Sequence, residues 1–116
     1  MILLVLFAVA AVSCGKEKEK VIIMTELGDI HLLLDPENAP VTTANFLRYV
    51  DAGLFDSSCF YRVVRPDNQP KDSVFIAVIQ GGRYEKEETG GFPPIAHETT
   101  AQTGIRHLDG VISMAR

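Results

Sequence analysis

Arg62 lies inside Phe60-Tyr61-Arg62-Val63-Val64, a run that is otherwise apolar and aromatic. A guanidinium is always charged and presents several N–H donors in a rigid planar fork, so it can hold or polarise an acceptor without exchanging a proton. Taken singly, the same residue reads by default as a surface-strand arginine in a salt bridge. Gln80 stands directly before Gly81-Gly82, where a glutamine by itself reads as a turn residue. His31, His97 and His107 are scattered, and Cys14 and Cys59 have no metal-ligand spacing. No metal site and no cofactor is expected.

The elements that must position these residues follow from periodicity. Residues 58–64 read as a strand, and alternation puts Phe60, Arg62 and Val64 on one face with Tyr61 and Val63 on the other. The polar stretch 65–72 must be a surface loop, and 74–79 returns as a strand that breaks at Gly81-Gly82. Upstream, the apolar runs 21–25 and 30–34 read as a hairpin turning at Gly28-Asp29. Thr43, Phe46, Leu47 and Val50 then fall on one helical face, with Pro40 in the first turn and Gly53 as the stop. Residues 83–109 read as a long functional loop, and 111–115 begin another strand. The pattern predicts a mainly β, antiparallel fold of about five strands and one helix, with hairpins rather than βαβ units. Within it Cys59 is expected to be a small buried hydrophobe.

The 116-residue length, with 47% hydrophobic and 22% charged residues, fits one globular core. A net charge of −4, with no basic block beyond the short run at 16–20, argues against nucleic acid as a partner. Residues 1–13 carry no charge and are apolar from Ile2 to Val12, a stretch too short to span a bilayer but suited to a secretory signal. Ala10-Ala11-Val12-Ser13 before Cys14 resembles the bacterial lipoprotein signal, in which the cysteine is lipidated and becomes the mature N-terminus. The signal lacks a Lys or Arg near Met1 and has Ala11 where lipoproteins usually have Leu; a non-lipidated signal cut after Ser13 is the alternative. The expected organisation is a signal at 1–13, a lipid-anchored cysteine and charged linker at 14–20, and a domain at 21–116. It places a monomer on the periplasmic side of the bacterial envelope, touching the membrane only through the anchor.

Several motifs in order resemble the cyclophilins, a family of peptidyl-prolyl cis-trans isomerases. They are Ala39-Pro40-Val41-Thr42-Thr43-Ala44-Asn45-Phe46, Phe60-Tyr61-Arg62-Val63-Val64, Ile79-Gln80-Gly81-Gly82, Thr89-Gly90-Gly91 and Gly110-Val111-Ile112-Ser113-Met114-Ala115. The resemblance implies a closed antiparallel barrel with capping helices, incomplete in this chain. It implies that Arg62 is the catalytic arginine and that Gln80 hydrogen-bonds the substrate backbone beside it. Phe60, Ala77, Val78, Met114 and Ala115 fall on positions lining the groove for proline-containing polypeptides. The implied chemistry is rotation about the X-Pro bond, which needs no nucleophile.

The chain departs from the family pattern in places. Ala77 and Val78 stand where Phe and Met are usual, which should weaken the grip on the proline ring. Tyr61 replaces a common histidine; facing away from Arg62, it is expected to matter little. Glu88 stands where Gly is common and Arg116 where Asn is common, and the insertion at 65–73 resembles that of bacterial secreted members. The family's later groove residues fall beyond Arg116. Two other readings stay open: a proline-binding module of the same fold with little catalysis, and a fragment without function of its own.

Overall fold

The computed structural model describes residues 15–71, 74–83 and 90–115. The signal, Cys14, Glu88, Thr89 and Arg116 lie outside the described residues. Two strands, β1 (Glu19–Thr25) and β2 (Gly28–Leu34), form an antiparallel hairpin with register from Glu19↔Leu34 to Thr25↔Gly28. The turn is therefore Glu26-Leu27 rather than Gly28-Asp29, which are the first residues of β2. Thr25 fixes it locally, its Oγ1 donating to the Gly28 carbonyl at 2.6 Å and accepting from Leu27 N at 3.2 Å. Glu19 and Lys20, expected in the linker, are already in the ladder.

Helix α1 (Pro40–Asp51) begins as the periodicity predicts, but its N-cap, Ala39, has no side chain that can accept a hydrogen bond. The first-turn N–H groups, which a helix cannot satisfy internally, find other partners. Ala39 N donates to the Asp35 carbonyl at 2.9 Å, Pro40 has no N–H, and Val41 N and Thr42 N donate to the two oxygens of Glu98 at 3.0 and 2.7 Å. Burial pushes the Glu98 carboxyl up, but the hydrogen bonds from Thr42 and Val41 outweigh it and hold it below the usual carboxylate range. The stabilisation is therefore complete above the ordinary glutamate pKa and is lost as pH falls through the lowered value. Glu98→Ala in the full-length protein is expected to destabilise it by about 1–2 kcal/mol, read in urea titrations. Glu98→Gln should flatten the acid limb of stability against pH.

The helix ends in a Schellman motif. Leu54 N reaches the Tyr49 carbonyl and Gly53 N the Val50 carbonyl, both at 2.9 Å, with Gly53 at φ +66°, where a Cβ would be strained. Against α1 packs an aromatic cluster: the Phe46 and Tyr49 rings each lie 5.3 Å from Phe55, and Phe92 stands edge-on to Tyr49 at 5.0 Å. Phe92 N donates to the Tyr49 hydroxyl at 2.9 Å, and the Arg48 guanidinium lies 3.9 Å over the Phe92 ring. The segment carrying Phe92 and Glu98 is thus anchored on α1 by stacking, a cation–π contact and hydrogen bonds.

The second antiparallel pair is β3 (Cys59–Val64) with β4 (Val78–Gly82). The strand expected at 74–79 starts only at Val78 and continues through Gly81 and Gly82 instead of breaking there. The reason is a side chain. Gln69 Nε2 donates to the Arg65 carbonyl at 2.8 Å and to the Ile76 carbonyl at 2.7 Å, while its Oε1 accepts from Ile76 N at 3.1 Å. That amide substitutes for ladder rungs that the neighbouring strand would have supplied. Asn68 completes the loop, accepting from Arg65 N at 2.7 Å and donating to the Val63 carbonyl at 3.0 Å.

Cys59 is exposed, not buried, because it opens β3 opposite Gly82, which has no side chain to cover it. Helix α2 (Thr100–Thr103) lies inside the stretch read as loop, with Thr99 and Gln102 in a reciprocal capping box and Gly104 left-handed at its end. Residues 111–115 run without a ladder, having no paired strand among the described residues. The described residues thus hold two two-stranded antiparallel sheets and two helices, a mainly β arrangement consistent with part of a cyclophilin-like fold. Their buried side chains are few: Leu34, Val64, Thr43 and Asn45.

Candidate active site

Arg62 and Gln80 are directly paired across β3 and β4. The ladder runs Val64↔Val78, Val63↔Ile79, Arg62↔Gln80 and then jumps to Phe60↔Gly81. Tyr61 is the extra residue of a β-bulge. Alternation across Phe60, Tyr61 and Arg62 is broken there, so the expected division of faces does not hold. Two consecutive residues of β3 reach the same partner on β4. Arg62 Nη1 donates to Gln80 Oε1 at 3.2 Å, and Gln80 Nε2 donates to the Tyr61 hydroxyl oxygen at 3.0 Å. Tyr61 does not face away from the arginine; it is tied to it through one amide.

Gly81 explains how Phe60 fits beside this cluster. A Cβ at Gly81 would sit 2.6 Å from Cδ1 of the Phe60 ring and 3.1 Å from the Cys59 carbonyl oxygen. The ring therefore lies across the β4 backbone where only glycine leaves room. Phe60 and Val78 are 44% and 42% exposed, so the strand pair offers apolar surface beside a guanidinium. Ala77 is exposed immediately before β4. Met114 and Ala115 lie in the extended run 111–115, which no ladder joins to β3 or β4 among the described residues.

The chain matches the family described as cyclophilin type peptidyl-prolyl cis-trans isomerase/CLD over residues 20–116. It belongs to the cyclophilin family. The match starts inside β1 and takes in both sheets and both helices. Among relatives, the chain is 35% identical over 98 residues to peptidyl-prolyl cis-trans isomerase A of Dickeya dadantii, covering 83% of this chain and 45% of that one. It is 35% identical over 94 residues to the isomerase cyp18 of Streptomyces antibioticus, covering 79% and 49%. To isomerase B of Escherichia coli K12 it is 31% identical over 94 residues, covering 79% and 50%. The chain thus spans about half the length of the curated relatives it matches. No solved structure gave a significant match.

Within this cyclophilin chain, the structure brings together Arg62, Gln80, Phe60 and Val78 on one strand pair. Tyr61 was missed as part of the cluster because period-2 reasoning assumes an unbroken strand. A signal was nonetheless present: glycines inside a strand pattern, here Gly81 and Gly82, mark bulges and close backbone approach.

Proposed function

We propose that the full-length protein is a peptidyl-prolyl cis-trans isomerase that accelerates X-Pro rotation in exported polypeptides and so assists their folding. The observation that carries this is the Arg62 guanidinium, held by Gln80 on an open strand pair next to exposed Phe60 and Val78. Rotation about a peptide bond faces a barrier of about 18–20 kcal/mol, because the nitrogen lone pair is delocalised into the carbonyl. As the bond twists, that lone pair localises on the prolyl nitrogen. A donor placed there binds the twisted state more strongly than either planar isomer, which is what lowers the barrier.

Arg62 supplies the donor and keeps further N–H groups for a flanking carbonyl. Gln80 uses one oxygen and one N–H within the cluster, and its second N–H remains for the substrate backbone. Phe60, Val78 and Ala77, with Met114 and Ala115, line the groove for the proline ring. The small Ala77 and Val78 make that grip shallow. The test is a coupled isomerisation assay of the full-length protein on a proline peptide. Acceleration of cis-to-trans conversion is expected; peptide binding without turnover would establish the proline-binding module instead.

The same proposal places the protein as a monomer on the periplasmic side of the bacterial envelope, lipidated at Cys14. What supports this is the apolar run 2–12, the small residues before Cys14 and the charged residues 16–20 after it. Cys14→Ala is expected to move the protein from the membrane to the soluble fraction on cell fractionation. Wild-type protein found wholly soluble after export would favour cleavage without lipidation.

A further inference from the structure

We propose that Tyr61 is a positioning residue for the isomerase site: its hydroxyl oxygen fixes the orientation of the Gln80 amide, and the amide in turn fixes the Arg62 guanidinium. This deepens the isomerase reading and rests on it. The argument begins with donors and acceptors. A guanidinium only donates, so Gln80 can hold Arg62 only with its oxygen turned toward it. Amide oxygen and nitrogen are nearly the same shape, and nothing steric prevents the group from turning over. Turned over, its NH2 would face the arginine donor to donor, and Arg62 would lose its anchor.

Arg62 thus sets which way the amide faces, and the Tyr61 hydroxyl, which can donate or accept, pins the amide's other end. It lies 3.0 Å from Gln80 Nε2 and accepts from it, while Gln80 Oε1 accepts from Arg62 Nη1 at 3.2 Å. Only the bulge makes this possible. In a regular strand Tyr61 and Arg62 would project from opposite faces; with Tyr61 as the extra residue of the bulge, both reach Gln80. Gln80 itself is only half-buried, so solvent would otherwise compete for its amide. A hydrogen-bonded chain hydroxyl–amide–guanidinium therefore pre-aims the donor that must meet the prolyl nitrogen.

The test uses the full-length protein. Tyr61→Phe keeps the ring and deletes the acceptor, and should lower kcat/KM by about 3- to 10-fold, with the loss in kcat and KM unchanged. In a Gln80→Ala background the same substitution should have no further effect, since the amide it orients is gone. Independently of activity, the NMR signals of the Gln80 side-chain amide and of Arg62 Nε–H should shift in Tyr61→Phe. In wild type the Gln80 amide protons should exchange more slowly than those of a freely exposed glutamine. Wild-type kinetics in Tyr61→Phe, an additive loss in the double variant, or fast exchange at Gln80 in wild type would each overturn the proposal. An inactive wild type whose amide and guanidinium signals still respond to Tyr61→Phe would sink the isomerase reading while leaving the positioning role standing.

Discussion

Arg62→Ala in the full-length protein is expected to lower kcat/KM by about 10²–10³-fold, the range seen when a donor to a developing transition-state charge is removed. The loss should fall on kcat, with peptide affinity largely kept, because the lone pair that Arg62 is proposed to meet exists only in the twisted state. The fold should survive. Arg62 is exposed on β3, and its removal leaves the β3–β4 ladder and the Gly81–Phe60 contact untouched. Isomerisation measured on a proline peptide, alongside a thermal transition for both proteins, separates the two effects. Unchanged turnover would remove Arg62, and with it the proposed mechanism.

The second large effect concerns stability. Residues 15–116 expressed alone are expected to lack a cooperative thermal transition and to self-associate. Leu34 and Val64 are the buried hydrophobes among the described residues, whereas Ile22, Met24, Leu33, Val63 and Ile79 are 52%, 82%, 57%, 53% and 58% exposed. Full burial of an aliphatic side chain contributes about 1.5–3 kcal/mol, but ordering each backbone residue opposes folding by about 1–2 kcal/mol. So small a core cannot offset that entropy over this length, and two-stranded sheets are marginal in water by themselves. Their open edges and apolar faces are templates for other chains. Circular dichroism on heating and sedimentation velocity would decide it: a sharp transition from a monomer would show that the exposed side chains are not needed in a core.

What could be read from the sequence divides along physical lines. Helix α1 was legible because a period of 3.6 in Thr43, Phe46, Leu47 and Val50 coincides with a proline start and a glycine stop. What finished it, the carboxylate of Glu98, was not, because local patterns carry no information about a partner 56 residues from Thr42. The four-residue α2 is too short for periodicity, though Thr99 and Gln102 at capping-box spacing and Gly104 after them were its signature. Residues 74–77 and 111–115 look like strands by composition. A strand exists only when paired, and the first is bonded to Gln69 while the second has no ladder partner among the described residues. At the candidate site, the motifs pointed to Arg62 and Gln80, which the ladder pairs, and the bulge that adds Tyr61 to them is a property of pairing rather than of either strand alone.

The two bonds from Glu98 also set an order of events during synthesis. Val41 and Thr42 leave the ribosome 57 and 56 residues before the carboxylate that receives their N–H groups. At about 5–20 residues per second, that interval is roughly 3–11 s. Phe92, which docks on Tyr49 from 43 residues downstream, arrives only slightly earlier. Through most of that interval α1 lacks both the carboxylate that caps its first turn and the Phe92 ring that packs on its last, while the β1–β2 hairpin, whose contacts are local, is free to close. The nascent chain therefore exposes an unfinished amphipathic helix for seconds, a window in which a ribosome-associated chaperone can bind it before the domain begins to close around α1.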